Sequence, residues 1–356
     1  MASISSQRIK VIVIGAGIIG LSSAVVLAEN VPDADVHVIA DQFASDTTSS
    51  GAAGLWAPDF AHGLKKDQDK ELKLRELAIK TWHHARALSR YPDAGQMGVF
   101  ILPYYKVYYH PQNQARHWWK DIVPDYRRIS NEEIKTMFPG VREGYVFSSV
   151  IMDCSRYLPY LQDRLVRAGG RISKQKVASL HELAGQCDVI INCSGLGAQD
   201  LVSDMNMAPK KGQVVHVEAP WIHYALEVEP AKTETDKYRF YVIPRCNEVI
   251  LGGTQHNTPG VSVSSEDREA ILNSTALFVP SLKNAKFKGD WAGLRPNRST
   301  GLRLEKETIT SGSKQLHVIH NYGHSGQGIT LHWGCALEAA KMAAEIINKT
   351  MVTSKL

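Results

Sequence analysis

The stretch Val11–Gly20, VIVIGAGIIG, restricts what this chain can fold into more than any other. The β-branched run Lys10–Ile14 passes at once into glycines at 15, 17 and 20, and then into the helical pattern GLSSAVVLAEN. Asp35–Ala40, DVHVIA, follows as a second strand. Such a β-α-β unit requires a parallel sheet with a helix packed on it. The spacing Gly-x-Gly-x-x-Gly has a mechanical reason. The first glycine makes a tight turn, the second lets backbone approach a pyrophosphate, and the third lets helix and strand pack closely. Asp41, 21 residues after Gly20, falls where a carboxylate can accept a ribose hydroxyl bond. Gly15, Ala16, Gly17, Ile18, Ile19, Gly20 and Asp41 therefore read as a dinucleotide site. The loop alone does not separate NAD from FAD. The hydroxyl- and glycine-rich stretch Asp46–Gly54, DTTSSGAAG, can run along a pyrophosphate or serve as a plain solvent loop.

Further along, the spacing of Leu72, Leu74, Leu77, Ile79, Trp82 and Leu88 predicts one long helix over 70–92, and strand-like alternation fills 98–109. Residues 156–168 read as a helix, 171–177 as a strand, and 188–197 as a strand ending in a glycine turn. Strands are expected at 213–217, 238–243 and 249–251, then a strand at 316–320 and a helix from 334 to 347. The α/β pieces thus lie at the start, middle and end of 356 residues, a natural size for two domains. The expected fold class is α/β, with a discontinuous Rossmann-like nucleotide domain over 1–60, 150–205 and 290–356. A mostly antiparallel α+β substrate and interface domain over 61–149 and 206–289 is interleaved with it.

Composition removes several function classes. The 41 basic residues against 36 acidic ones give a net charge of +5 with no basic cluster, so no nucleic-acid partner is expected. The apolar run 9–28 is broken by glycines and has no signal-peptide layout, and no membrane partner is expected. Sequons at Asn192, Asn273, Asn297 and Asn348 are chance matches without secretory entry. The five cysteines form no Cys-x-x-Cys pair and read as reduced, mostly buried thiols, and no metal site is expected. Ser354-Lys355-Leu356 matches the address read by the peroxisomal import receptor. A homodimer is left open.

A second glycine-rich loop, NYGHSGQGIT at 321–330, lies about three hundred residues after the first. The surrounding VIHNYGHSGQGITLHWGCA at 318–336 resembles the signature of the D-amino-acid oxidase and D-aspartate oxidase family at every fixed position. TTSSGAAGLW at 47–56, INCSGLG at 191–197, APW at 219–221, YVIP at 241–244, LGGT at 251–254 and GLRP at 293–296 extend the likeness over nearly the whole chain. The resemblance implies an FAD enzyme that deaminates D-amino acids oxidatively, with O2 as electron acceptor and hydrogen peroxide as product. It also implies that Arg295 anchors the substrate carboxylate, that the Tyr241 hydroxyl shares it, and that the Gly326 backbone meets the substrate amine, with Leu55 bordering the pocket. For FAD it implies contacts from Thr47, Thr48, Ser49, Gly54, Leu55, Val177, Ser194 and Gly195, and from Gly323, Ser325, Gly326, Gly328, Ile329 and Thr330. His324 is read as shaping the loop, not as a base.

The chain departs from the family pattern at the substrate end. Tyr238 lies one residue from the position of a lid tyrosine. Gln255 and His256 follow GGT where the aspartate oxidases have an arginine, and a gapless count puts Glu234 at their upstream arginine. These departures argue for neutral D-amino acids. A D-aspartate or D-glutamate oxidase is the alternative, because regular alternation would put Lys237 and Arg239 on the face of Tyr241. A nicotinamide dehydrogenase and a non-catalytic flavin-binding protein are the other readings.

Overall fold

The computed structural model describes residues 8–43, 46–58, 68–110, 117–229, 237–258 and 260–353. Ser354-Lys355-Leu356 and Glu234 lie outside the described residues. The chain opens with β1 (Ile9–Ile14), α1 (Ile18–Asn30) and β2 (Ala34–Ala40). Then come α2 (Gln68–Leu88), α3 (Ala94–Met97), β3 (Val99–Tyr108), β4 (Arg127–Arg128), α4 (Asn131–Met137) and β5 (Glu143–Met152). The middle holds α5 (Cys154–Arg167), β6 (Arg171–Lys174), β7 (Val189–Asn192) and α6 (Ala198–Leu201). Four strands follow, β8 (Lys210–Glu218), β9 (Ala225–Glu229), β10 (Tyr238–Pro244) and β11 (Val249–Thr254), and after them α7 (Ser265–Phe278). The chain closes with β12 (Lys286–Arg295), β13 (Arg303–Ser311), β14 (Lys314–Tyr322) and α8 (Gly328–Thr353).

These strands form two sheets. The first has six strands in the order β13-β14-β7-β1-β2-β6. Its strands run parallel except for the β13–β14 hairpin. Alternation along β1 explains how it is covered. Val11 and Val13 pack with α1, α5 and α8, whereas Ile12 and Ile14 pack with Leu180 and Leu183 of a short turn on the opposite side. α1 is apolar nearly all round because it sits between the sheet and α8.

The second sheet has eight strands in the order β12-β8-β11-β10-β9-β3-β5-β4, antiparallel except for β3 beside β9. Here β9 divides by side-chain alternation. Leu226 and Val228 join the cluster under α7, while Ala225 belongs to the core shared with the first sheet. Glu227 and Glu229, two and four positions on from Ala225, take its face. Likewise Phe240 and Val242 pack toward α7, and Tyr241 and Ile243 toward the first sheet.

The sequence expectations hold with shifted ends for β1, β2, α2, β3, α5, β7, β10 and α8. The helix expected to run to 92 ends at Leu88, followed by a separate short turn of helix. β12 runs across the expected domain boundary at 290, so Arg295 is carried by the second sheet. Cys154, Cys187, Cys193 and Cys335 are buried free thiols, while Cys246 is half-buried.

Candidate active site

The first glycine loop sits at the carboxyl end of β1, next to the carboxyl end of β7. Gly15 takes φ +105° and presses on the Cys193 carbonyl so closely that a Cβ would stand 2.5 Å from that oxygen. A Cβ on Gly20 would land on the Gly15 carbonyl, which is why the helix can start this close to the strand. Gly17 caps α1 without a side chain, so the cap residue satisfies none of the first-turn N–H groups, a setting that suits an anion. The Ile18 N–H donates to Ser49 Oγ at 3.0 Å. The stretch 47–49 is thereby brought to the helix N-terminus, and the Thr48 hydroxyl donates to the Leu294 carbonyl at 3.2 Å. Asp41 directly follows β2 and is exposed. Val177 packs against the cluster that holds Ile12, Ile14 and Ile39. Ser194 and Gly195 follow β7, and the Ser194 hydroxyl is buried without a partner among the described residues. In open α/β sheets this end is where ligands bind.

The second glycine loop links β14 to α8. Ser325 holds a left-handed φ of 54°. Its N–H donates to the Pro296 carbonyl at 3.1 Å, and its hydroxyl to Asn297 Oδ1 at 3.0 Å. The loop is thus stapled to the segment immediately after Arg295. A Cβ on Gly326 would meet only Arg295 Cδ, at 3.8 Å, and one on Gly328 would meet nothing within 4 Å. Bare backbone therefore faces open space beside Arg295. Gly323 abuts Arg298, which donates from Nε to Asp204 Oδ2 at 2.7 Å, and the Tyr322 hydroxyl donates to the same oxygen at 2.8 Å. The Thr330 hydroxyl donates to the Ala57 carbonyl at 3.0 Å, tying α8, with Ile329 buried in its first turn, to the chain two residues after Leu55. Gly54 (φ +87°) accepts from the Met152 N–H at 2.8 Å, and Leu55 is bridged to Ile151. Burial pushes His324 down to about 3, so its ring is neutral at pH 7 and has little capacity to hold a proton.

Arg295 ends β12 with its guanidinium over Gly212, where any side chain would collide with it. Its Nη1 donates to the Thr254 carbonyl at 3.2 Å. The Tyr241 ring lies on the backbone of Gly252 and Gly253, its phenol hydrogen-bonded to Arg295. Burial raises the Tyr241 pKa while Arg295 opposes that rise, so the phenol stays protonated and able to donate. Tyr238 turns the other way. Its hydroxyl donates to Asp267 of α7 at 3.2 Å, and its ring stacks with Phe240, so it lies away from Arg295. Arg239 shares the Tyr241 side, and its charge acts on both Tyr241 and Glu227.

Some of the site is not named by any motif. Glu227 lies directly across from Tyr241 in the β9–β10 ladder, and Lys106 of β3 lies across from Glu227. The Tyr104 hydroxyl donates to Glu227 Oε2, which also takes Lys106 Nζ at 3.3 Å. The signal was present as ALEVE at 225–229, two acids on one face of a strand whose other face is apolar. The Asp204–Arg298–Tyr322 clamp joins three distant segments and had no local signature.

The geometry fits an FAD laid from the first loop to the second. The α1 N-terminus, whose cap residue Gly17 brings no side chain, suits a pyrophosphate, and the Ser194 hydroxyl is buried without a partner among the described residues. Gly326 and Gly328 present bare backbone to open space, which leaves room for a ring system. Among the described residues no group of three metal-ligating side chains converges, and no helix is long and apolar enough to cross a membrane. A separate polar cleft of about 420 Å³ between Ser179–His181 and Asp200–Ser203 contains none of these residues.

Residues 10–342 match the family model described as FAD dependent oxidoreductase. The chain is 34% identical to a Homo sapiens protein named D-aspartate oxidase over 340 residues, covering 95% of this chain and 96% of that one. It is 33% identical to a Rubrobacter xylanophilus protein named D-amino-acid oxidase over 344 residues, covering 95% and 97%. Among solved structures, glycine oxidase from Bacillus cereus superposes with a TM-score of 0.72 at 21% identity over 94% of each chain, a likeness of fold.

Proposed function

The chain belongs to the FAD-dependent oxidoreductase family, and on that premise we propose that it oxidises D-amino acids, neutral ones preferred. The products are the 2-oxo acid and ammonia, with water consumed, O2 as electron acceptor and hydrogen peroxide as its reduced form. Relatives named D-amino-acid oxidase and D-aspartate oxidase, each matched over nearly the whole chain, support the substrate class. The observation that carries the reading is Arg295, paired with the Tyr241 phenol, beside the bare backbone of Gly326.

FAD, when bound, supplies the two-electron acceptor. The remaining work is orientation. The Arg295 guanidinium and Tyr241 hydroxyl take the substrate carboxylate in a two-point grip. The Gly326 carbonyl accepts from the amine, whose own lone pair assists departure of the α-hydrogen. No side-chain base is then required, which agrees with a buried, neutral His324. Holding the reacting atoms in one geometry replaces a rare collision with a fixed approach. Delivery to peroxisomes through Ser354-Lys355-Leu356 belongs to the same proposal.

A D-aspartate or D-glutamate oxidase is the second reading, favoured by Arg239 on the Tyr241 side of β10. FAD-loaded protein assayed for peroxide across D-amino acids including D-alanine and D-aspartate separates the two. The expected outcome is turnover with neutral substrates foremost. Bound FAD without peroxide from any D-amino acid would leave a non-catalytic flavoprotein.

A further inference from the structure

The buried charges behind Tyr241 are not needed for carboxylate anchoring, yet they face the same space. Glu227 is the cross-strand partner of Tyr241, so their side chains stand on one face within direct reach. Lys106 is sealed at 2% exposure, whereas the Glu227 side chain keeps 20%, so of the pair Glu227 is the one that is not sealed off. Its Oε2 is engaged by Tyr104 and Lys106, leaving Oε1 outside both bonds. Lys106 is shared with Glu229 at 3.3 Å, which sets two carboxylates against one buried cation. Arg239 adds a positive charge nearby, and it acts on Glu227 less than Lys106 does. Lys106 and the Tyr104 hydroxyl hold Glu227 below its usual range, so it is an anion at pH 7.

We propose that Glu227 sets side-chain specificity at this site, disfavouring substrates with a side-chain carboxylate and favouring those that present an N–H or O–H in its place. The inference rests on the oxidase reading above and names the residue behind its neutral preference. Two carboxylates meeting side by side repel, while an amide N–H in the same position gains a charge-assisted hydrogen bond. Glu227 also compensates Arg239, so the arginine has a partner when a neutral substrate is bound.

D-asparagine and D-aspartate have the same shape and differ in this one group, so the ratio of their kcat/KM values isolates the effect. In the FAD-loaded wild type the ratio is expected to exceed about tenfold in favour of D-asparagine, and Glu227→Gln should reduce it by about tenfold. A residue that only supports Lys106 would lower both constants together, and an unmoved ratio overturns the inference. Should that variant fail to hold FAD, calorimetric titration of the wild type with succinate and its isosteric monoamide probes the same charge by binding alone. The monoamide is expected to bind about tenfold more tightly. Equal affinities, or tighter succinate, overturn the proposal. Absence of turnover with every D-amino acid would instead remove the oxidase reading, and the calorimetry would still test Glu227.

Discussion

At the scale of single residues, Arg295 and Gly326 illustrate two ways in which a motif acquires meaning. GLRP could have been a surface loop; in the fold Arg295 closes a strand, with its guanidinium held by the Thr254 carbonyl and the Tyr241 phenol. Gly326 matters for what it leaves empty, since a side chain there would occupy the space next to Arg295. Arg295→Ala should raise the KM for D-alanine at least roughly 100-fold, because losing a charge-assisted two-point contact costs about 3 kcal/mol. FAD content should stay at wild-type level, since no part of the Arg295 grip touches the first glycine loop. An unchanged KM would remove the anchor assignment, and loss of FAD would make Arg295 a structural residue.

At the scale of elements, α1 is the part whose sequence is most tightly tied to its task. Its residues are buried along most of their length, and its N-terminus, with a glycine as cap residue, lies close to β1 and β7. Gly20→Ala places a methyl on the Gly15 carbonyl, and overpacking of this kind costs roughly 1–3 kcal/mol. The expected result is FAD loss on dilution, read by equilibrium dialysis, with a smaller drop in the melting temperature. Retention of FAD at wild-type affinity would show that the helix does not need this approach to hold the pyrophosphate. The second loop follows a different logic. It is positioned by contacts from other segments, namely Ser325 to Pro296 and Asn297, Thr330 to Ala57, and Arg298 and Tyr322 to Asp204. Its sequence supplies flexibility and bare backbone, while its shape comes from these partners.

At the scale of the whole molecule, α2, α5 and α8 meet around buried imidazoles that lie within hydrogen-bond reach of the second loop's helix. His84 donates from Nε2 to the Tyr157 hydroxyl at 3.1 Å, and Tyr157 donates to His332 Nε2 at 3.2 Å. His332 in turn donates from Nδ1 to the Ile329 carbonyl at 2.8 Å. Burial lowers His332 to about 4, His324 to about 3 and His84 to about 2. Each native-state value lies below the unfolded value of about 6.5, so the unfolded chain binds protons first on acidification. Stability is therefore fully present above about pH 6.5 and declines as pH falls toward 4, before most carboxylates titrate. Thermal unfolding between pH 7.5 and 4.5 should show this decline, and His332→Gln should make it shallower, since His84 and His324 remain, while lowering stability at pH 7.5. A flat wild-type profile would show that these rings are accessible to protons in the native state.

Much of this was legible from local pattern. β1, α1 and β2 follow from β-branched runs and glycine spacing, because local backbone geometry decides both the turn and the helix start. The paired glycine loops, Arg295 and Tyr241 stood in recognisable motifs. β13 was less legible, since an edge strand with four of its nine residues charged has no apolar alternation to read. Tyr238 could be placed only by the strand's face, which turns it to α7. The order of residues thus determined the first glycine loop and the α/β class, and it offered Arg295 and Tyr241 as candidates for the proposed anchor. Only the tertiary structure decided that Glu227 stands across from Tyr241, that Lys106 is sealed behind it, and that Asp204 clamps two loops. Those facts depend on which strands pair and in what register, a choice made by long-range burial that no local stretch of the chain encodes.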